Sequence, residues 1–264
     1  MSTVEAQQEA TELVDEFAAR HKSKAFKNLH RSRVAQGLHI RIEKPYLINQ
    51  GNTGLCVPAS LVYDLAYHRP LQYAKLVTHL FEHGTGKIGN WELKPGYDLR
   101  HHALEANDKF KEADWIPMAS IRDSENWFFD YESSSDNGGT TVEETLDMLH
   151  NAGYQHIING AEGDVSSDVN LGGADYYRKH GYTVCLRIDS SLLEHNNEPG
   201  PMGCKKPIGV ANHRVVLVSP IEFYPVKFKV FTWGKIIDIP RYKPNPLSIT
   251  EFLKYYYGYM AFKY

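Results

Sequence analysis

The 264-residue sequence has few cysteines, no long apolar run and little net charge. Its three cysteines are an odd number and too sparse for a disulfide-stapled scaffold, which predicts a protein that works where thiols stay reduced. No stretch approaches the roughly 18 apolar residues that a membrane-spanning helix needs. A net charge of −3 gives no electrostatic reason to expect nucleic acid or a membrane as a partner.

The N-terminal residues MSTVEAQQEATELVDEF are acidic and polar, whereas a signal peptide begins with basic residues and continues with an apolar run. We therefore expect no classical signal peptide. The protein is expected either in the cytoplasm or inside a target cell that it reaches by a non-classical secretion route.

Helical patterns dominate the first half of the chain and strand patterns the second. Apolar residues at helical spacing predict four helices: one ending near Arg20, one beginning at Cys56, one over 71–83 and one over 141–151. A Thr140/Glu143 capping box is expected to open the last of these. Residues 94–137 show no regular pattern.

Runs of β-branched and aromatic residues predict strands over 183–188, 213–219, 226–233 and 257–264. Helices followed by strands indicate an α+β fold. We expect residues 1–45 to form a helical extension and residues 46–264 to form the main domain, mainly helical over 46–165 and mainly β over 166–264.

The stretch QGNTGLCVPAS, residues 50–60, contains the first candidate for chemistry. Pro58 is tolerated only in the first turn of a helix, so Cys56 is expected at a helix N-terminus. The unpaired N–H groups of such an end favour a negatively charged thiolate, which is the nucleophilic form of cysteine. Taken alone, however, Cys56 is more simply a buried structural residue.

The spacing of Gln50, Gly51, Gly54, Cys56 and Ser60 resembles the active-site segment of papain-like cysteine proteases. The resemblance implies that Cys56 is the nucleophile. It also implies that the side-chain amide of Gln50 stabilises the oxyanion together with the backbone N–H of Cys56.

The resemblance extends over about residues 46–264. Gly138 and Gly139 are similar to a glycine pair that lets a substrate backbone approach closely. His213 opens an apolar strand where the family has its catalytic imidazole, which implies a general base or ion-pair partner for Cys56.

The segment Phe231-Thr232-Trp233-Gly234 resembles the family's Asn-Ser-Trp-Gly, in which asparagine orients the histidine and tryptophan shields their hydrogen bond. Phe231 has no acceptor for that role. Strand alternation makes the hydroxyl of Thr232 the first substitute, with Asp238 and Asn212 as alternatives. Trp233 is expected beside the substrate.

These residues imply a papain-like fold, with a helical lobe, an antiparallel β-barrel-like lobe and the active site between them. The implied activity is cleavage of peptide or amide bonds in a protein or peptide substrate by a Cys56–His213 thiolate–imidazolium pair, with no cofactor or metal. A bacterial effector or toxin, controlled by a protein inhibitor, would fit this pattern, as would a cytosolic peptidase.

Three alternatives remain open. The same machinery would serve a glutamine deamidase or an acyltransferase, since only the leaving group and acceptor differ. The phenylalanine at 231 also fits a papain-like binding module whose catalysis has decayed. Finally, HLFEH, residues 79–83, matches a zinc-binding pattern with two histidines one helical turn apart, although no third ligand suggests itself.

Overall fold

The computed structural model describes residues 3–21, 23–51, 53–104, 111–125, 140–195, 204–241 and 246–264. They divide into two compact units. The first contains the described residues up to Glu125 together with Asn151–Gly153 and Trp233–Lys235. The second contains residues 140–150 together with Tyr154–Thr232 and Ile236–Tyr264.

The first unit is mainly helical. Its elements are α1 (Thr3–Ala19), α2 (Arg31–Glu43), α3 (Cys56–His68), α4 (Pro70–His83), β1 (Gly86–Ile88), β2 (Trp91–Leu93), α5 (Tyr97–His101) and α6 (Glu112–Glu125). Helix α4 contacts α1, α3 and α6, and the short strands β1 and β2 form an antiparallel hairpin. The rings of Phe17 and Phe81 meet edge to face at 5.4 Å in this core.

Two buried carboxylates neutralise arginines inside the first unit. Asp114 on α6 accepts two hydrogen bonds from Arg41 on α2, at 3.0 and 2.7 Å. Glu82 on α4 forms ion pairs with Arg20 and Arg31. Because a buried charge is costly unless it is paired, these contacts fix how the helices pack.

The second unit is built on one antiparallel sheet. Its elements are α7 (Val142–Asn151), β3 (His156–Gly160), α8 (Asp168–Lys179), β4 (Thr183–Ile188), β5 (His213–Leu217), β6 (Glu222–Phe223), β7 (Val226–Thr232), β8 (Lys235–Ile239), α9 (Ile249–Leu253) and β9 (Tyr256–Lys263). The strand order is β3-β9-β4-β5-β7-β6, and β8 pairs with β7. Helix α8 packs against β9, β4 and β3.

The α+β class is therefore confirmed, but the expected barrel-like lobe is not. Among the strands that the structure describes, β3 and β6 end the order without pairing with each other, so the sheet is open and not a closed barrel. Alternation of buried and exposed residues predicts strands, but it does not predict whether their sheet closes.

Most expected elements are present with small shifts at their ends. The capping box of α7 is formed by Thr141 and Glu144, one residue later than expected: the Thr141 N–H donates to Glu144 at 2.6 Å, and the Glu144 N–H donates to Thr141 at 3.1 Å. The absence of regular structure expected over residues 94–137 is wrong for α5 and α6. Helix α6 contains Pro117, which made the segment look irregular.

The helices that the structure describes include none with both the length and the apolar character needed to cross a membrane.

Replacing Arg41 by methionine is expected to lower the free energy of unfolding by about 3–5 kcal/mol, because it leaves the buried Asp114 carboxylate without its counter-charge. Urea denaturation measures the change. As a control, Lys254→Met breaks a half-exposed ion pair with Glu251 and should leave the midpoint nearly unchanged. Equal effects of the two substitutions would contradict a structural role for the buried pair.

Candidate active site

Cys56 is the first residue of α3, as the sequence predicts. It is 4% exposed, and its carbonyl accepts a hydrogen bond from the Ser60 hydroxyl at 2.9 Å. Pro58 lies in the first turn, where its missing N–H costs no helical hydrogen bond. The N–H groups of the first turn have no carbonyl partner within the helix.

None of the three cysteines forms a disulfide, and only Cys56 lies at a helix N-terminus. Cys185 lies inside β4. Burial raises the pKa of the Cys204 thiol, which contacts the Tyr255 hydroxyl at 3.5 Å. Local structure therefore distinguishes Cys56 from the other two thiols.

Gln50 lies in a tight loop before α3. Its side-chain amide donates to the Thr53 carbonyl at 3.0 Å, and the Thr53 hydroxyl donates to the Gln50 carbonyl at 2.6 Å. Gln50 is 4% exposed. Because a side-chain amide carries two N–H donors, this contact accounts for only one of them.

The preceding residue, Asn49, fixes the start of this loop. Its backbone N–H donates to the buried Asp114 carboxylate, and its side-chain oxygen accepts the Gly51 N–H at 2.9 Å. Gly234 packs against it so closely that a Cβ at 234 would lie 3.0 Å from the Asn49 Cβ. Sequence reasoning missed Asn49 and Asp114, because neither belongs to a motif.

His213 is the first residue of β5, is 6% exposed, and lies opposite Ile188 on β4. Its Nε2 lies 2.7 Å from the Thr232 hydroxyl oxygen. Val216 pairs with Phe231, so strand geometry makes Thr232 a diagonal neighbour of His213 on the same face. Phe231 then points to the opposite face.

The other two candidates for orienting His213 have different partners. The Asn212 side chain accepts the Ser190 N–H at 2.7 Å and donates to the Ser190 hydroxyl at 3.0 Å. Asp238 is exposed and lies 3.7 Å from Lys229. Of the three, Thr232 is the residue whose hydrogen bond to His213 the structure records.

Asp189, which sequence reasoning missed, anchors the segment that leads into His213. One carboxylate oxygen accepts the backbone N–H groups of Ile208 and Gly209, at 2.6 and 3.0 Å. The other accepts the N–H and the hydroxyl of Ser191, at 3.0 and 2.5 Å. Asp189 is fully buried, and its position directly after an apolar strand was the available sequence signal.

The remaining predicted site residues are Trp233, Gly138 and Gly139. Trp233 and Gly234 form the two-residue turn between β7 and β8, and both have positive φ, 48° and 72°. Two-residue hairpin turns favour this conformation, which is costly for tryptophan. Gly138 and Gly139 lie outside the described residues.

The HLFEH segment is engaged in other contacts. The His79 and His83 rings lie 4.4 Å apart, but His79 Nδ1 is 2.8 Å from the Thr85 carbonyl oxygen. Glu82 is held by two arginines and so is not poised as a base. Among the described residues, no cluster of three or more histidine, cysteine or acidic side chains could hold a metal ion.

Burial and, to a smaller extent, the neighbouring Arg214 charge together lower the pKa of His213 to about 4. The imidazole is therefore neutral at neutral pH. For its Nδ1 to act as a base, Nε2 must carry the proton and donate it to the Thr232 oxygen.

Comparison of the chain with protein-family models, curated proteins and solved structures gives no significant match. The family resemblance therefore depends on the sequence motifs alone.

The lowered pKa of His213 predicts a loss of stability in acid. The His213 imidazole binds a proton near pH 6.5 in the unfolded state but only near about 4 in the folded state. Its contribution to the free energy of unfolding is therefore complete above pH 6.5 and disappears as the pH falls to about 4. It amounts to about 3 kcal/mol. Denaturation of wild type and His213→Gln between pH 4 and 7 measures it, and parallel curves would contradict the assignment.

Replacing Thr232 by valine, which has a similar volume, is expected to remove the hydrogen bond that selects the His213 tautomer. Nitrogen-15 NMR of the imidazole should show a fixed tautomer in wild type and in Thr232→Ser, and a mixture in Thr232→Val. An unchanged tautomer in Thr232→Val would show that another group orients the ring.

Proposed function

We propose that the protein is a papain-like cysteine hydrolase of peptide or amide bonds, with Cys56 as nucleophile and His213 as base. The proposal includes the papain-like two-lobed fold, with Cys56 in a helical lobe and His213 in a β lobe. The observation that carries it is the buried hydrogen bond between His213 Nε2 and Thr232, since it supplies the orienting partner that Phe231 cannot.

The lowered pKa of His213 modifies the expected resting state. A neutral imidazole favours a neutral thiol–imidazole pair over a thiolate–imidazolium pair formed in advance. In the proposed reaction the Cys56 thiol gives its proton to His213 Nδ1 as the sulfur attacks the substrate carbonyl carbon. The Nε2–H, held by Thr232, keeps Nδ1 directed at the reaction.

The negative charge then develops on the substrate oxygen. Gln50 would stabilise it through the amide N–H that does not bond to Thr53, together with the backbone N–H of Cys56. The His213 imidazolium returns its proton to the leaving amine, which departs and leaves a thioester on Cys56. Water, deprotonated by His213, cleaves the thioester and restores the thiol.

Selective alkylation tests the pairing without knowledge of the substrate. Iodoacetamide at pH 7 should modify Cys56 faster than Cys185 and Cys204 in the same protein, as quantified by peptide mass spectrometry. His213→Gln should slow the reaction of Cys56 by about 10²-fold, because the general base is lost. The rates at the other two cysteines serve as internal controls for unfolding.

A neutral resting pair also predicts that the Cys56 alkylation rate rises with pH and has no plateau in mild acid. Equal reactivity of Cys56 and Cys204, unaffected by His213→Gln, would contradict the catalytic pair and favour a decayed binding module. Incubation with a defined mixture of glutamine-containing peptides, with Cys56→Ala as control, would then separate hydrolysis from deamidation by the mass of the products.

A further inference from the structure

Two arginines lie side by side in the sheet of the second unit. Arg187 on β4 and Arg214 on β5 are register partners, so their Cβ atoms are about 5 Å apart on one face. Strand alternation places this face opposite the one that carries His213. Arg214 is 6% exposed and Arg187 is half-buried.

The hydrogen-bond partners of these guanidinium groups are neutral. Arg214 donates to the Thr141 carbonyl at 3.2 Å, and Arg187 donates to the Tyr257 carbonyl at 3.3 Å. The Nε atom of each is buried without a hydrogen-bond partner. Among the described residues, no ion pair includes either arginine.

An arginine guanidinium keeps its proton, so the free-energy cost of burying its charge without a counter-charge remains. Burial lowers the pKa of Arg187, and the charge of Arg214 lowers it further, which means that the pair is electrostatically unfavourable as it stands. By contrast, the buried Arg41 in the first unit is paired with the Asp114 carboxylate.

A nearby acid already has other partners. Asp189 follows β4 directly, but its two oxygens accept four hydrogen bonds from Ser191, Ile208 and Gly209. It is therefore occupied in fixing its own loop and does not serve as the counter-charge.

The backbone around the arginines is shaped to hold them. Leu186 pairs with Tyr259 and Ile188 with Tyr256, so Tyr257 and Gly258 form a bulge opposite Arg187. Gly258 has φ 85°, and a Cβ there would lie 2.4 Å from the Gly160 carbonyl oxygen. The bulge thus requires glycine, and it turns the Tyr257 carbonyl towards Arg187.

The segment held by Arg214 contains a buried hydroxyl. Thr140 precedes Thr141, is 3% exposed, and has a buried hydroxyl without a hydrogen-bond partner. It lies just before the N-terminus of α7, which Thr141 and Glu144 cap.

We infer that Arg187 and Arg214, with Thr140, form a binding site for a small oxyanion, either a tetrahedral phosphate or sulfate or a carboxylate. Arginine forks bind both kinds of group in a bidentate manner. Arg214 is the buried anchor, and the ligand enters on the half-exposed side at Arg187. The inference does not rest on the proposed hydrolase function, because its observations concern the opposite face of the sheet.

Thermal unfolding and calorimetry of the full chain test this site. Sodium phosphate, sulfate and acetate are titrated separately against sodium chloride of equal ionic strength. At least one oxyanion should raise the melting temperature in a saturable manner beyond chloride. Saturation by phosphate or sulfate alone identifies a tetrahedral ligand, and saturation by acetate alone identifies a carboxylate.

Arg187→Gln should weaken the binding at least about tenfold, because it removes the charged fork at the entrance. Arg178→Gln is the matched control: this arginine lies in the same unit, pairs with Asp175, and should leave the affinity unchanged. Arginine Nε–H NMR signals of wild type should shift with the bound anion. Equal affinity in Arg187→Gln, or no saturable effect beyond chloride, would overturn the inference.

Discussion

The hydrogen bond between His213 and Thr232 is the constraint on which the proposed chemistry depends. Both residues are buried, and they come from strands that neighbour each other in the sheet although 19 positions separate them along the chain. A one-residue slip between β5 and β7 would turn one of the two side chains to the other face and break the contact. Asp189 and Asn212 fix the start of β5 relative to β4, because they tie the segment before His213 to the turn after β4.

The two units handle buried charge differently. In the first, Asp114 both neutralises Arg41 and accepts the Asn49 N–H, so a buried ion pair also fixes the loop that carries Gln50. In the second, Arg187 and Arg214 are held by carbonyl groups that orient them without neutralising them. One buried and one half-buried cation without a counter-charge fit a site that receives an anion better than a purely structural pair.

The sequence predicts local structure better than long-range pairing. The start of α3 at Cys56 and the bounds of β4 follow from helix punctuation and β-branched runs, which act over a few residues. The capping box of α7 was misplaced because Thr140 and Thr141 each have a glutamate three residues later, and only packing decides between them. Helix α6 was not predicted because proline is disfavoured inside a helix, and Pro117 lies within this one.

The residues of the candidate site also divide into those predicted from local motifs and those that depend on long-range contacts. Cys56, Gln50 and His213 belong to motifs, whereas Asp189, Asn49 and the two arginines acquire their roles only from partners distant in sequence. The open sheet could not be predicted either, since closure depends on how the outer strands meet and not on the pattern within each strand.

Strand periodicity explains why Thr232, and not Phe231, contacts His213. Residues 231 and 232 face opposite sides of β7, so a phenylalanine at 231 serves the packing of one face while a hydroxyl at 232 reaches the histidine on the other. A hydroxyl is neutral, as an amide is, and therefore orients the imidazole without stabilising a positive charge on it. Burial is then the largest influence on the pKa of His213, which falls to about 4. An imidazole held in this way is suited to accept a proton during the proposed reaction rather than to carry one at rest.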